Sequence, residues 1–272
     1  MNINELKEFA SIARSRIILN SHKTGTPHLG SCLSCVDILV ALYFSKLKIN
    51  PKDHKSPHRD RFILSKGHGA AALFQILAMK GFYPESLLND YGEDGSIFAE
   101  HPPSPDYLPG IEAATGSLGH GLPIGLGMAL SSMITGNSFN VYVLLGDGEC
   151  NEGSIWEAAT MAVAQKVENL TIFVDSNKWQ ATDRSADLAG HTSMKNKWSS
   201  FGWNSCEIDG NNMQEIINIL SEKPTKGIPT AVMLNTIKGR GVSFMEDNNN
   251  WHYRIPNEEE VRAAFKELGV EL

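Results

Sequence analysis

Two stretches decide the fold: Val141-Tyr-Val-Leu-Leu-Gly-Asp-Gly-Glu149 and Leu170-Thr-Ile-Phe-Val-Asp-Ser-Asn-Lys-Trp179. Each opens with a continuous apolar run, VYVLL (141–145) and LTIFV (170–174). Such runs, closed abruptly by Gly, Asp and Asn, read as strands buried on both faces. A helix is expected between them, around residues 154–166. AVMLNTI (231–237) reads as a third strand, and Phe62-Ile63-Leu64 as a short one before the helix AALFQILAMKG. Strands separated by helices at this spacing imply βαβ units and right-handed crossovers. The expected architecture is α/β: a doubly wound parallel sheet with helices on both faces. With no internal repeat and no recognisable linker, residues 1–272 are expected to form a single domain.

Outward from these strands, helices are expected over residues 4–20, through Val36, Leu39, Val40 and Tyr43, and after the Asn257-x-x-Glu260 capping box. Residues 83–117 are rich in Pro and Gly and read as a long loop. The chain has 272 residues and a formal net charge of −7, with 42% hydrophobic and 20% charged residues. That is the composition of a soluble globular enzyme, and the acidic balance argues against nucleic acid as a partner. No apolar run reaches the ~18 residues of a membrane span, and the N-terminus lacks a signal-peptide pattern. Four cysteines are too few for a disulfide scaffold; Cys32-x-x-Cys35 falls in an apolar helix and reads as core. A cytoplasmic location is the expectation.

In a doubly wound sheet, ligands bind at the carboxyl ends of the strands. There lie Gly146-Asp147-Gly148 and, 28 residues after the first of the flanking strands closes on that turn, Asn177. The glycines let backbone N–H groups approach an anion, and a carboxylate with an amide oxygen can hold a hard cation. A diphosphate bridged by Mg²⁺ is the chemistry these groups suit. Four histidines, His28, His68, His101 and His252, sit in Gly/Pro-rich contexts, where imidazole serves as anion ligand and proton-transfer group.

The Gly-Asp-Gly…Asn pair resembles the thiamine diphosphate motif. By that resemblance the metal ligands are Asp147, Asn177 and the main-chain carbonyl of Trp179. The segments TPHLG…DI (26–38), RDRFILSKGH (59–68), HPPSPDYLPGIEAATGSLGHG (101–121), LGDGECNEG (145–153) and KGRGVSF…H (238–252) resemble, in order, those of the transketolase family. The match covers nearly the whole chain and is closest to the separate N-terminal subunit of split transketolases. The resemblance implies that His28 and His101 face the reacting centre and that His68 and His252 approach the diphosphate. It also implies that Gly116 and Leu118 line the cofactor rings, with Gly146, Asp147, Gly148 and Asn177 around its diphosphate end. Glu152 is implied to belong to an acidic network between paired active sites. Pro27, Leu29, Tyr253 and His120 depart from the usual pattern; His120 is expected to be structural.

The resemblance further implies a transferase moving a two-carbon ketol unit from a ketose donor to an aldose acceptor, with thiamine diphosphate and Mg²⁺. The glutamate that activates the cofactor's pyrimidine belongs, in this family, to the following domain. A C-terminal partner subunit is therefore expected, in an α₂β₂ assembly. The alternatives are the α subunit of a 2-oxo-acid dehydrogenase, a truncated 1-deoxyxylulose-5-phosphate synthase relative, and an inactive binding module of the same fold.

Overall fold

The computed structural model describes residues 1–190 and 192–272. Five strands form one parallel sheet: β1 (Arg61–Leu64), β2 (Val141–Gly146), β3 (Leu170–Ser176), β4 (Asn204–Asp209) and β5 (Thr230–Asn235), in the order β1-β2-β3-β5-β4. Ten α-helices surround it among the described residues: α1 (Ile3–Thr24), α2 (Leu29–Ser34), α3 (Val36–Ala41), α4 (Ala70–Lys80), α5 (Gly121–Thr135), α6 (Gly153–Ala164), α7 (Ser185–Ala189), α8 (Met194–Ser200), α9 (Met213–Ser221) and α10 (Glu258–Leu268).

Side chains alternate along each strand, so β1, β2, β3 and β5 each feed two cores. Phe62, Leu64, Tyr142, Leu144, Phe173, Val232 and Leu234 join the core shared with α1–α4, α9 and α10. Ile63, Val141, Val143, Leu145, Ile172, Val174, Ala231 and Met233 join the core shared with α5, α6 and Trp198 of α8. The chain steps from β1 through β4 with α5, α6 and α8 on one face, then returns from β4 to β5 through α9 on the other. Reversing direction while changing face keeps every crossover right-handed, and this makes the sheet doubly wound.

The four expected strands are present, as are the helices at 3–24, 70–80, 153–164 and 258–268. The Asn257–Glu260 capping box is formed in both directions, and Asn2 with Glu5 forms another at the head of α1. The expected second helix is two helices, α2 and α3, meeting at Cys35 and continuing into a wide turn over Leu42–Lys46. Five elements were not legible: β4, α5, α7, α8 and α9. Strand β4, NSCEID, lies at the sheet edge and is only partly covered, so it lacks the apolar run of the inner strands. Helix α9 is short and polar on one face. Helix α5 is obscured by Gly121, Pro123, Gly125 and Gly127. Two of those glycines explain its position: a Cβ at Gly125 would lie 2.6 Å from Val143 Cγ2, and one at Gly121 2.3 Å from Ser65 Oγ. Only glycine lets α5 pack this tightly on β1 and β2.

Candidate active site

The register pairs Gly146 of β2 with Asp175 of β3, so the two strands end side by side. Asp147 follows β2; its carboxylate accepts from Gly148 N–H (2.9 Å) and Ser185 Oγ (2.8 Å). Burial raises its pKa to about 6, against the hydrogen bond from Ser185. Asn177 follows β3, its amide nitrogen donating to Asp175 (3.3 Å) and its oxygen accepting from Trp179 N–H (3.1 Å). Trp179 starts a tight hairpin that bridges back to Arg184. Asp247 clamps that hairpin from the 238–252 loop: it accepts from the Trp179 indole (2.8 Å) and from both Arg184 terminal nitrogens (2.7 Å each), while the guanidinium stacks 3.7 Å from the indole centroid.

These strand ends open into a cavity of about 380 Å³. Of the twelve residues predicted from sequence, eleven line it: His28, His68, Gly116, Leu118, Gly146, Asp147, Gly148, Glu152, Asn177, Trp179 and His252. His101 stands just behind the wall, its ring centroid 6.0 Å from that of His28. Gly116, at φ +150°, lies so close to His101 that a Cβ there would come within 3.2 Å of the ring. Glu152 is exposed, at the head of α6. His120 is also exposed, its Nδ1 3.1 Å from the Leu118 carbonyl, away from the cluster.

The four histidines converge although they come from four separate segments. His28 caps α2 in the left-handed region (φ 74°), and its N–H donates to the His252 carbonyl (2.7 Å). Its ring centroid lies 5.8 Å from that of His68 and 5.1 Å from that of His252. Burial, then His101 and Lys238, pushes the His28 pKa down to about 4. Burial, then Lys238 and His28, pushes His252 down to about 3. Burial and Lys66 hold His68 well below its ordinary value. At neutral pH these three are therefore neutral imidazoles that offer directional N–H donors and lone pairs rather than positive charge.

The positive charge comes from two lysines that no sequence pattern singles out. Lys66 is buried; its ammonium donates to Asp175 (2.5 Å) and to the Ser31 carbonyl (2.9 Å). Burial opposes its charge, but Asp175 outweighs burial and its pKa lies above the ordinary lysine value. Asp175 also accepts from Ser34 (2.6 Å) and Thr236, so the pair sits in a filled hydrogen-bond shell. Lys238 donates to Asn249 (2.6 Å) and lies 3.1 Å from His252 Nδ1; burial, then Lys66, lowers its pKa to about 8. A third omission is Glu149, buried, which accepts from Ser65 Oγ, Gly119 N–H (2.9 Å) and Gly146 N–H (3.1 Å). It ties the β2 turn to the Leu118 loop. Their only sequence signal is position: all of them fall inside the quoted motifs or at the β3 end.

Elsewhere the motifs have structural work. Arg59 pairs with Glu112 and Arg61 lies 3.6 Å from it, tethering the loop that leads to Gly116. Cys32 and Cys35 are buried free thiols whose pKa values burial pushes up to about 11 and about 12, which fits a core role.

The cavity suits a metal-bound diphosphate. The buried Gln180 Nε2 on its wall lacks a hydrogen-bond partner among the described residues. Asp147 is a half-buried carboxylate with spare lone pairs, and Lys66, paired with Asp175, lies beneath the cavity. Among the described residues no three His, Cys, Asp or Glu side chains form a metal cluster; the set here has one carboxylate, one amide and one carbonyl, the oxygen donors a hard cation takes alongside phosphate. Fold and cavity together define a diphosphate-binding α/β domain.

A family model described as "Transketolase, thiamine diphosphate binding domain" matches residues 7–272, and the chain belongs to the transketolase family. It is similar to one of the subunits of the apulose-4-phosphate transketolase of Actinobacillus succinogenes: 39% identical over 269 residues, 98% of this chain and 97% of that one. It is 38% identical to the 6-deoxy-6-sulfo-D-fructose transketolase subunit SqwG of Clostridium sp., over 98% of this chain and 97% of the other. Among solved structures, transketolase from Campylobacter jejuni superimposes with a TM-score of 0.93 at 29% identity, covering 100% of this chain and 44% of that one. The protein is thus a thiamine diphosphate-binding, transketolase-type transferase subunit of the N-terminal kind. No helix is long and apolar enough to cross a membrane, among the described residues.

Proposed function

We propose that residues 1–272 act as one domain, the diphosphate-binding half of a heteromeric transketolase that transfers a two-carbon ketol unit from a ketose to an aldose. The observation that carries this is the meeting of the β2 and β3 ends, with Asp147, Asn177 and Trp179, in the same cavity as three of the four clustered histidines. Two relatives are named for sugars with a phosphate or a sulfonate, and a ketose carrying such an anionic end is the proposed donor class. The names of the relatives favour this over a 2-oxo-acid dehydrogenase subunit or a synthase fragment, and the intact site favours it over an inactive binding module.

In this reading Asp147, Asn177 and the Trp179 carbonyl hold Mg²⁺. His68, His252, Lys238 and the Gly146–Gly148 turn take the diphosphate, and Gly116 and Leu118 line the rings. Bound thiamine diphosphate supplies a nucleophilic thiazolium carbon and an electron sink. His28 and His101 hydrogen-bond the sugar hydroxyls and exchange protons with them through imidazole nitrogens, which neutral rings can do in either direction. Glu152, exposed at the cavity edge, reaches the acidic network of a second site. A C-terminal partner subunit supplies the pyrimidine-side glutamate in a cytoplasmic α₂β₂ assembly.

The test is ketol transfer and cofactor C2 hydrogen–deuterium exchange by this chain alone and with its partner. The chain alone should be inactive, and the partner should restore activity by many orders of magnitude, because positioning and acid–base effects each contribute about 10² or more. Rapid C2 exchange by the isolated chain would overturn the split-site reading.

A further inference from the structure

We propose that Glu100 is a positioning residue for His28: its carboxylate accepts a hydrogen bond from His28 Nδ1, holds the ring in the Nδ1–H tautomer and leaves Nε2 as the proton-accepting nitrogen. This rests on the placement of His28 in the active site. His28 Nδ1 is buried and has no hydrogen-bond partner among the described residues. A buried imidazole nitrogen left unpaired is costly, on the order of 1–3 kcal/mol, so a nearby acceptor is expected. The carboxylate of Glu100 stands 3.9 Å from it. Among the described residues, no other carboxylate lies within ion-pair distance of His28.

The two partners differ in freedom. The His28 side chain is 12% exposed, and its backbone is fixed by the bond to His252 and by Cys32 N–H donating to its carbonyl (3.0 Å). His68, His101, His252 and Tyr253 wall the ring. The Glu100 side chain is 46% exposed, on the long Pro/Gly-rich segment. The ring stays and the carboxylate closes, by about 1 Å, to the ~2.7–2.9 Å of a charge-assisted bond.

The groups facing His28 are three other imidazoles, the Tyr253 ring, Lys238 and Glu100. Lys238 disfavours an imidazolium there, as does burial. The Glu100 carboxylate, 3.9 Å from Nδ1, acts in the opposite sense, so closing the pair raises the proton affinity of His28 towards the working pH of a proton-transfer group. Carboxylate–imidazole pairs fix a tautomer in this way at many catalytic and metal sites.

The test is a pH titration of the full chain carrying ¹⁵N-labelled histidine, with the His28 signals assigned by their loss in His28→Gln. In the wild type His28 should show the Nδ1–H tautomer. Glu100→Gln, nearly the same size, should lower the His28 midpoint by about one unit or more. Glu100→Ala should also mix the tautomers, and Glu100→Asp should restore part of both. In the assembled enzyme, Glu100→Gln should move the acid limb of the pH–rate profile to lower pH and reduce kcat more than it raises KM. An unchanged midpoint and tautomer in Glu100→Gln and Glu100→Ala would overturn the pairing. The titration needs neither partner nor sugar. An assembled complex without ketol transfer would sink the proposed function while leaving the Glu100 pairing to be decided by the titration.

Discussion

Each end of the sheet carries a carboxylate, Asp60 buried at one and Asp147 half-buried at the other, and the fold treats them oppositely. At the amino end, Asp60 precedes β1 and is 1% exposed. It accepts from Asn140 N–H (2.9 Å), the Asn140 amide (3.3 Å) and Lys48 N–H (2.9 Å). Those bonds link the entries of β1 and β2 and leave the carboxylate aimed at protein. At the carboxyl end, Asp147 has two hydrogen bonds, no salt-bridge partner among the described residues, and a cavity before it. A structural carboxylate is surrounded by donors from the fold; a functional one keeps lone pairs for something that arrives. The Lys66–Asp175 pair stands between these cases. It is fully paired, yet it lies under the cavity and holds the β3 end and the Ser31 backbone together.

The largest expected effect tests that intermediate position. Lys66→Met leaves Asp175 buried without its cation and should cost about 3–5 kcal/mol of stability, measured by denaturant unfolding. The double variant Lys66→Met/Asp175→Asn should recover part of it, because it removes the buried charge and keeps an oxygen that accepts from Ser34 and Thr236. If the single variant loses less than ~1 kcal/mol, the pair is not a support of the cavity floor. Next, Asp147→Ala should weaken thiamine diphosphate and Mg²⁺ binding to the assembled complex about 100-fold, roughly 2.7 kcal/mol by calorimetric titration. Asp60→Asn should cost stability of about 1–3 kcal/mol and leave cofactor affinity alone. Equal effects of the two on affinity would erase the contrast between the ends.

A third prediction uses the cluster's protonation. His28, His68 and His252 have folded pKa values below the ordinary histidine value of ~6.5. As pH falls from about 6.5 towards 4, the unfolded chain takes up these protons and the folded chain does not, so stability drops through that window and is level with respect to them above pH ~7. Asp147, raised to about 6, and Glu149, also raised by burial, act in the opposite sense, two groups against three. Melting temperature should fall between pH ~7.5 and ~5, and the slope should flatten in His28→Asn/His252→Asn. The smallest expected effect is at the hairpin clamp. Arg184→Ala should weaken Mg²⁺ binding only a few-fold, since an exposed pair contributes about 0–1 kcal/mol. A loss as large as that of Asp147→Ala would mean that the hairpin's position, rather than the ligand itself, limits metal binding.

Much of this carboxyl end was legible in the sequence. Asp147 and Asn177 closely follow apolar runs, and strand polarity alone sends them to one edge; Trp179 came in through the resemblance. The histidines were legible because each sits in a loop context where imidazole has no packing reason to be. Lys66, Lys238, Asp175 and Glu149 were passed over because Lys, Asp and Glu are ordinarily surface residues, and nothing local marks one that a distant partner lets inside. Lys66 and Asp175 are separated by 109 positions. Glu100 carried no signal either, since its meaning depends on which ring faces it.

By itself the sequence determined the parallel α/β sheet, the inner strands, the N-terminal helix, the capped C-terminal helix and the metal-side candidates. These follow from periodicity and from the chemistry of residues at strand ends, both local properties. Only the tertiary structure decided the strand order β1-β2-β3-β5-β4, the edge position of β4 and the close seat of α5. It alone gathered His28, His68, His101 and His252 and buried a lysine against an aspartate beneath them. Those are outcomes of long-range packing: which groups lose water together, and which neighbour then satisfies them, is set by the fold as a whole and written in no single segment.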